Sequence, residues 1–201
     1  MKLYYKPGAC SLAAHIVARE AGVPLTLEKV DLATKKTESG ADFRTVNPNG
    51  YVPALLLPDG EVLAEAPVVL QYLADQKPGS GLLPAPGQAS RYRALQWLSF
   101  VGSELHKNYG HFFKPDTPEA MKAIARTDLS ARLDHVDSAL AGKTFLLGDD
   151  FSAADAYAWV VMGWSPYVGI DLSPYRNIGR FMEAVAQRPA VRQALAAEGL
   201  A

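Results

Sequence analysis

The spacing of apolar residues changes along this chain, and the change divides it in two. Leu3-Tyr4-Tyr5 is a short apolar, aromatic run stopped by Pro7-Gly8, which predicts a first strand and its turn. From Ser11 to Ala21 the apolar residues Leu12, Ile16 and Val17 fall at helical spacing among Arg19 and Glu20, and Gly22 supplies a stop. Leu25 to Val30 alternates Leu, Thr, Leu, Glu, Lys, Val and predicts a second strand. Strand, helix and strand within about thirty residues is the βαβ unit of a parallel pair. The polar stretch Asp31 to Val46 predicts loop and a short helix. Ala54–Leu57 and Glu61–Leu63 flank Pro58-Asp59-Gly60, and the Asp-Gly dipeptide predicts a hairpin. A helix over Pro67–Asp75 completes the order βαβ-ββα.

Gln76 to Gly87 holds Pro78, Gly79, Gly81, Pro84, Pro86 and Gly87, a density of breakers that predicts a linker. Beyond it the strand signals stop. Ser90–Gly110, Pro118–Leu140, Ser152–Met162 and Ile178–Leu195, the last interrupted at Pro189, all carry helical periodicity. The expected organisation is therefore an α/β domain over residues 1–77, a linker at 78–87 and an all-helical domain over 88–201. Ser152 and Asp155 stand three apart at the head of an apolar run, the spacing of a capping box, with Phe151 before them.

Composition narrows the function classes. Hydrophobic residues make up 49% and charged residues 20% of the chain, the balance of a globular protein rather than a disordered one. A net charge of -1, with Lys and Arg spread throughout, leaves no electrostatic footprint for nucleic acid or an anionic membrane. A single cysteine rules out an intrachain disulfide and a cysteine-based metal cluster. No apolar run reaches signal-peptide or transmembrane form, so a cytoplasmic protein is expected.

Four places could carry chemistry. In Asn47-Pro48-Asn49-Gly50-Tyr51-Val52-Pro53, two turn dipeptides reverse the chain ahead of the apolar run at Ala54. Pro53 stands where a strand begins, either in an ordinary trans loop or after a cis bond that leaves the Val52 N–H and C=O without strand partners. Such groups suit a peptide-like ligand added as an antiparallel strand. Cys10 lies at the start of the first helix, where aligned N–H dipoles favour thiolate; the alternative is a buried structural cysteine. Position 13 is Ala13, so no dithiol motif exists. Glu65-Ala66-Pro67 opens the next helix with a poor capping residue. Its free N–H groups are capped by water or by a ligand carboxylate, and Glu65 beside them could hold an ammonium, so the pair suits an amino-acid head group. His106 and His111 are five apart and lie on different helix faces, which argues against a metal pair.

The assembled pattern resembles the cytosolic glutathione transferases over essentially the whole chain. Tyr4-Tyr5-Lys6-Pro7-Gly8-Ala9-Cys10-Ser11-Leu12, the Asn47 to Leu55 stretch, Gln71-Tyr72-Leu73-Ala74-Asp75, Glu104-Leu105-His106-Lys107 and the closing Ala197-Glu198-Gly199-Leu200 are similar to the bacterial beta class. The resemblance implies a thioredoxin-like N-terminal domain with a cis Pro53, an all-helical C-terminal domain and a homodimer. It implies that Val52 pairs with the cysteinyl part of glutathione, that Glu65 and the N–H of Ala66 hold its γ-glutamyl end, and that Lys35 lies near its glycine carboxylate. Cys10 would sit beside the glutathione sulfur with Ser11 as a neighbouring donor, and His106 would face the same sulfur. Ser103 and Glu104 would reach the site across a dimer interface. Two positions depart from the class: Ala66 replaces Gly or a hydroxyl residue, and Ser99 stands where Asn is frequent.

The implied activity is conjugation of glutathione thiolate to a hydrophobic electrophile, without a metal. Helix dipole, Ser11 and His106 would stabilise the thiolate. Tyr109, Phe112, Phe113, Trp164 and Tyr167 are available in the helical half to line the electrophile pocket, with core packing as their alternative. Glutathione-dependent thiol transfer or reduction through Cys10, and a non-catalytic ligand-binding stress protein, are the rival readings.

Overall fold

A computed structural model describes residues 1–200 of the chain and divides it into two compact units, 1–85 with 188–200 and 86–187. In the first unit, β1 (Lys2–Tyr5), β2 (Thr26–Asp31), β3 (Lys36–Thr37), β4 (Ala54–Leu56) and β5 (Val62–Ala64) form one sheet in the order β3-β2-β1-β4-β5. Only β1 and β2 run parallel; the other pairs are antiparallel. The parallel pair needs a crossover, which α1 (Ser11–Ala21) supplies. Gly22 ends that helix in the left-handed region at φ 67°, donating back to the Ala18 and Arg19 carbonyls.

Register places Leu3 beside Leu27 and Leu55, and Leu55 beside Leu63. Leu3 and Leu55 are fully buried. Tyr4 and Ala54 point to the opposite face, where they join Val30, Phe43 and Val52 in a second apolar cluster. Ala13, Ala14, Ile16, Val17 and Ala18 of α1 are all buried. Those small side chains let α1 pack closely against β1, α2 (Ala66–Asp75) and α8 (Pro189–Ala197). Helical periodicity alone assigns α8 to the helical half; Val191 and Ala194 instead bury it in the first unit.

The second unit is helical: α3 (Ala89–Phe100), a π-helical segment (Val101–His106), α4 (Lys107–Phe113), α5 (Glu119–Ala139), α6 (Ala153–Met162), a 3-10 turn (Ser165–Val168) and α7 (Arg176–Ala186). The continuous helix expected over Ser90–Gly110 is thus widened by a π segment in its middle. At the head of α6, Asp155 accepts from the Ser152 and Leu146 N–H groups, both at 2.8 Å, and from the Ser152 hydroxyl. Burial pushes the Asp155 carboxyl up to about 6, so it is ionised at neutral pH and held by those donors. No helix among the described residues is long and apolar enough to cross a membrane.

Candidate active site

The turn at residues 47–51 is built by its own side chains. Asn47 Nδ2 donates to the Tyr51 carbonyl at 2.8 Å, Asn47 Oδ1 accepts from the Asn49 N–H at 3.1 Å, and the Gly50 N–H closes on the Asn47 carbonyl at 2.8 Å. Lys35 lies across this turn, its Nζ donating to the Gly50 carbonyl at 2.9 Å and sitting 5.4 Å from the centre of the Tyr51 ring. Gly50 has φ 63°, a conformation that favours glycine, and a Cβ there would also crowd Lys35 Cδ at 3.0 Å, a flexible side chain that would have to shift.

The Val52–Pro53 peptide is cis. Of the two Val52 groups expected to lack partners, the carbonyl is taken: the Cys10 thiol donates to it at 3.1 Å. The Val52 N–H has no partner among the described residues. The Ala66 N–H at the start of α2 is in the same condition, and the Glu65 side chain makes no capping bond. Glu65 itself is exposed and sits at φ 66°, ψ 113°, a conformation costing a non-glycine residue about 1–3 kcal/mol. The first unit therefore offers an unpartnered N–H at Val52, another at the head of α2 and the exposed Glu65 carboxylate, with the Cys10 thiol on the Val52 carbonyl.

Of its two sequence readings, Cys10 takes the second, the buried cysteine. Dipoles at the head of α1 favour thiolate, but Cys10 is only 6% exposed, and burial pushes its thiol up to about 12; the Cys10 and Ser11 amides pull the other way and do not offset it. The exposed Glu65 carboxylate adds to the upward shift. Cys10 is consequently a neutral donor at physiological pH. Alkylation of Cys10 by iodoacetamide should be about a thousandfold slower at pH 8 than for an unshifted thiol and should rise steadily to pH 10 without a plateau. A plateau near pH 7–8 would show a thiolate instead. Ser11 is fully buried, and its hydroxyl is occupied by the Lys6 main chain, accepting from the N–H at 3.2 Å and donating to the carbonyl at 3.3 Å.

In the helical unit, His106 Nδ1 lies 2.7 Å from the Tyr157 hydroxyl, and the imidazole packs edge-on to Trp164 with ring centres 4.9 Å apart. Burial lowers the His106 pKa to about 4, so the ring is neutral at pH 7. Phe113, 52% exposed, meets Trp164 edge-on at 5.6 Å. Phe112 lies under the Arg126 guanidinium at 5.2 Å, and Tyr167 is exposed. Tyr109 is different: it is fully buried, its hydroxyl is 2.5 Å from Ser165 Oγ, and it packs as core. Ser99 and Ser103 are exposed, while Glu104 pairs with Arg132 at 3.0 Å. Among the described residues no cluster of three or more His, Cys, Asp or Glu could hold a metal ion.

Two family models match the chain, the glutathione S-transferase N-terminal domain over residues 8–76 and the glutathione S-transferase C-terminal domain over residues 94–189. The chain belongs to the glutathione S-transferase family. Glutathione S-transferase GstA of Escherichia coli O157:H7 is 46% identical to this transferase over 200 residues, with both chains covered in full. Among solved structures, a sphingomonad glutathione S-transferase complexed with glutathione is 52% identical at a TM-score of 0.95, each chain covered in full. A bacterial beta-class glutathione S-transferase of Sphingomonas chungbukensis is 49% identical at a TM-score of 0.96, again with full coverage of both chains. The thioredoxin-like first unit and helical second unit are thus those of a beta-class glutathione S-transferase.

Sequence reasoning missed two contacts of this transferase. Tyr157 holds His106 from α6, fifty-one positions away, and Glu198 reaches Gly8 beside Cys10 at 3.1 Å. Neither partner has a local signal, although Glu198 lies in a stretch that carries the family resemblance.

Proposed function

We propose that this protein is a glutathione transferase that binds glutathione along the Val52–Ala66 edge and conjugates its thiol to hydrophobic electrophiles. The observation that carries this reading is the pair of unpartnered amides at Val52 and Ala66, together with the Glu65 carboxylate. Val52 N–H suits the carbonyl of an antiparallel peptide, Ala66 N–H suits an α-carboxylate at a helix start, and Glu65 suits an α-ammonium. Those three requirements describe a γ-glutamyl peptide. Lys35, already across the neighbouring turn, is assigned to its glycine carboxylate.

Cys10, a neutral thiol whose one proton is directed to the Val52 carbonyl, is assigned a place beside the glutathione sulfur rather than the role of nucleophile. With no second cysteine in the chain, this favours conjugation over disulfide exchange. Ser11 shapes the loop through Lys6. His106, Trp164, Phe112, Phe113 and Tyr167 are assigned to thiolate stabilisation and electrophile contact, with His106 acting as a neutral group. Ser99, Ser103 and Glu104 are assigned to glutathione contacts completed in a homodimer. The working compartment is the reducing cytoplasm, where glutathione is kept as the thiol.

Steady-state conjugation of glutathione to 1-chloro-2,4-dinitrobenzene tests this reading. Saturation in both substrates is expected, and Cys10→Ala should keep the rate within about tenfold. Abolished conjugation in Cys10→Ala, together with rapid disulfide exchange by the wild type, would establish thiol transfer instead.

A further inference from the structure

One border of α5 holds the loop that carries Trp164 and Tyr167. Between α6 and α7 that loop has only the 3-10 turn at Ser165–Val168 as regular structure. Trp164, at the head of the turn, meets His106, Phe113 and Tyr109 edge-on, with ring centres 4.9, 5.6 and 6.2 Å away. Ser165 is fully buried, its hydroxyl on that of Tyr109, so the near end of the turn is anchored in the core. Tyr167 follows, 81% exposed. Gly169 closes the turn, its N–H donating to the Ser165 carbonyl.

The far end of the turn is held from α5. Arg126 Nη1 donates to the Gly169 carbonyl at 3.0 Å, and the same guanidinium lies over the Phe112 ring of α4 at 5.2 Å. Arg126 pairs with no carboxylate among the described residues, so the carbonyl and the ring are its polar partners. Farther along the loop, Ser130 Oγ lies 3.4 Å from the Tyr175 hydroxyl. Asp137 Oδ1 accepts from the Asn177 and Ile178 N–H groups at 2.8 and 2.9 Å, at the head of α7. Arg126, Ser130 and Asp137 follow one another at spacings of four and seven, along one border of the buried stripe Ala125, Leu129, Leu133 and Val136. Ser130 and Asp137 hold the α7 end of the loop, whereas Arg126 holds the end that bears the aromatic residues.

We propose that Arg126 is a positioning residue that sets electrophile specificity: by joining the Gly169 carbonyl to the Phe112 ring, it fixes the Tyr167 turn against α4. Tyr167 is then suspended between two anchors, Ser165 in the core and Gly169 on Arg126, with its ring open to a ligand. This rests on the assignment of Trp164, Phe112, Phe113 and Tyr167 to electrophile contact in the function proposed above. The contact asks for arginine in particular. A lysine could donate to the carbonyl, but only the flat guanidinium covers the ring while it does so.

The test compares Arg126→Met and Arg126→Lys with the wild type. Residue 126 is exposed on a helix, and both replacements are good helix formers, so both variants should fold. Hydrogen exchange of the Gly169 and Ile170 amides, both bonded to the Ser165 carbonyl, should accelerate about three- to tenfold in Arg126→Met. The KM for 1-chloro-2,4-dinitrobenzene should rise by a similar factor, with kcat and the KM for glutathione within about twofold of wild type. Arg126→Lys, which keeps a donor and loses the stacking, should fall between the two. Faster exchange with an unchanged electrophile KM would make the contact purely structural. A raised KM with unchanged exchange would mean that Arg126 meets the electrophile itself. Either result overturns the proposal, as does no change in both quantities. A wild type that conjugates no electrophile would end the functional reading and the specificity claim with it, while the exchange rates still decide whether Arg126 holds the turn.

Discussion

Asp155→Ala is expected to cost about 3–5 kcal/mol of folding stability, at the upper end of what one side chain contributes. The carboxylate is fully buried and accepts from two backbone amides, Ser152 and Leu146, and from the Ser152 hydroxyl. Alanine leaves both amides buried without an acceptor, each at about 1–3 kcal/mol, and removes the cap of α6 as well. Leu146 belongs to the segment that enters α6, so the same carboxylate joins the helix to the loop before it. The folded carboxyl holds its proton up to about pH 6, whereas the unfolded chain releases it near the ordinary value of 3.8. The contribution of Asp155 to stability therefore falls as pH rises through that window, and the deficit of the alanine variant is larger at pH 4 than at pH 7. Urea denaturation at the two pH values reads both effects. A deficit below about 1 kcal/mol at both would show that water replaces the carboxylate.

Glu65→Gln should weaken glutathione binding by roughly 10- to 100-fold, with little change in stability. The exposed carboxylate makes no bond to its own helix, so the fold does not depend on its charge. A γ-glutamyl ammonium does depend on it, because the glutamine carbonyl retains geometry and loses the ionic part. Glu65→Gly separates two effects at one position. Glycine relieves the backbone strain at φ 66°, so the protein should gain about 1 kcal/mol in stability while glutathione affinity still falls. Equal glutathione affinity in wild type and both variants would remove Glu65 from the site.

The first unit is legible in the sequence because its punctuation is local. Pro7-Gly8 and Gly22 bracket α1, and Asp59-Gly60 turns the β4–β5 hairpin, each through a backbone requirement that the residue type reveals. What escapes depends on partners distant in sequence. Strand β3 is two residues long, too short for a period, and exists only because Val30 and Asp31 pair with Thr37 and Lys36. The π segment at Val101–His106 keeps helical spacing well enough to read as ordinary helix. Amphipathicity in α8 is visible, but its docking on α1 is not. At the site, the Val52–Pro53 bend and the open head of α2 can be read from Pro53, Ala66 and Pro67. Cys10 cannot, because the helix dipole is a sequence-level expectation and desolvation is a packing outcome. For the same reason Tyr109 looks like one more available aromatic in the sequence, although its hydroxyl bond to Ser165 makes it core.

Titration calorimetry of glutathione into the reduced protein is the decisive measurement. Saturable binding with one glutathione per chain is expected, weakened in Glu65→Gln and retained in Cys10→Ala. No detectable binding at millimolar glutathione would contradict the proposed function, leaving the unpartnered amides of Val52 and Ala66 to a different ligand.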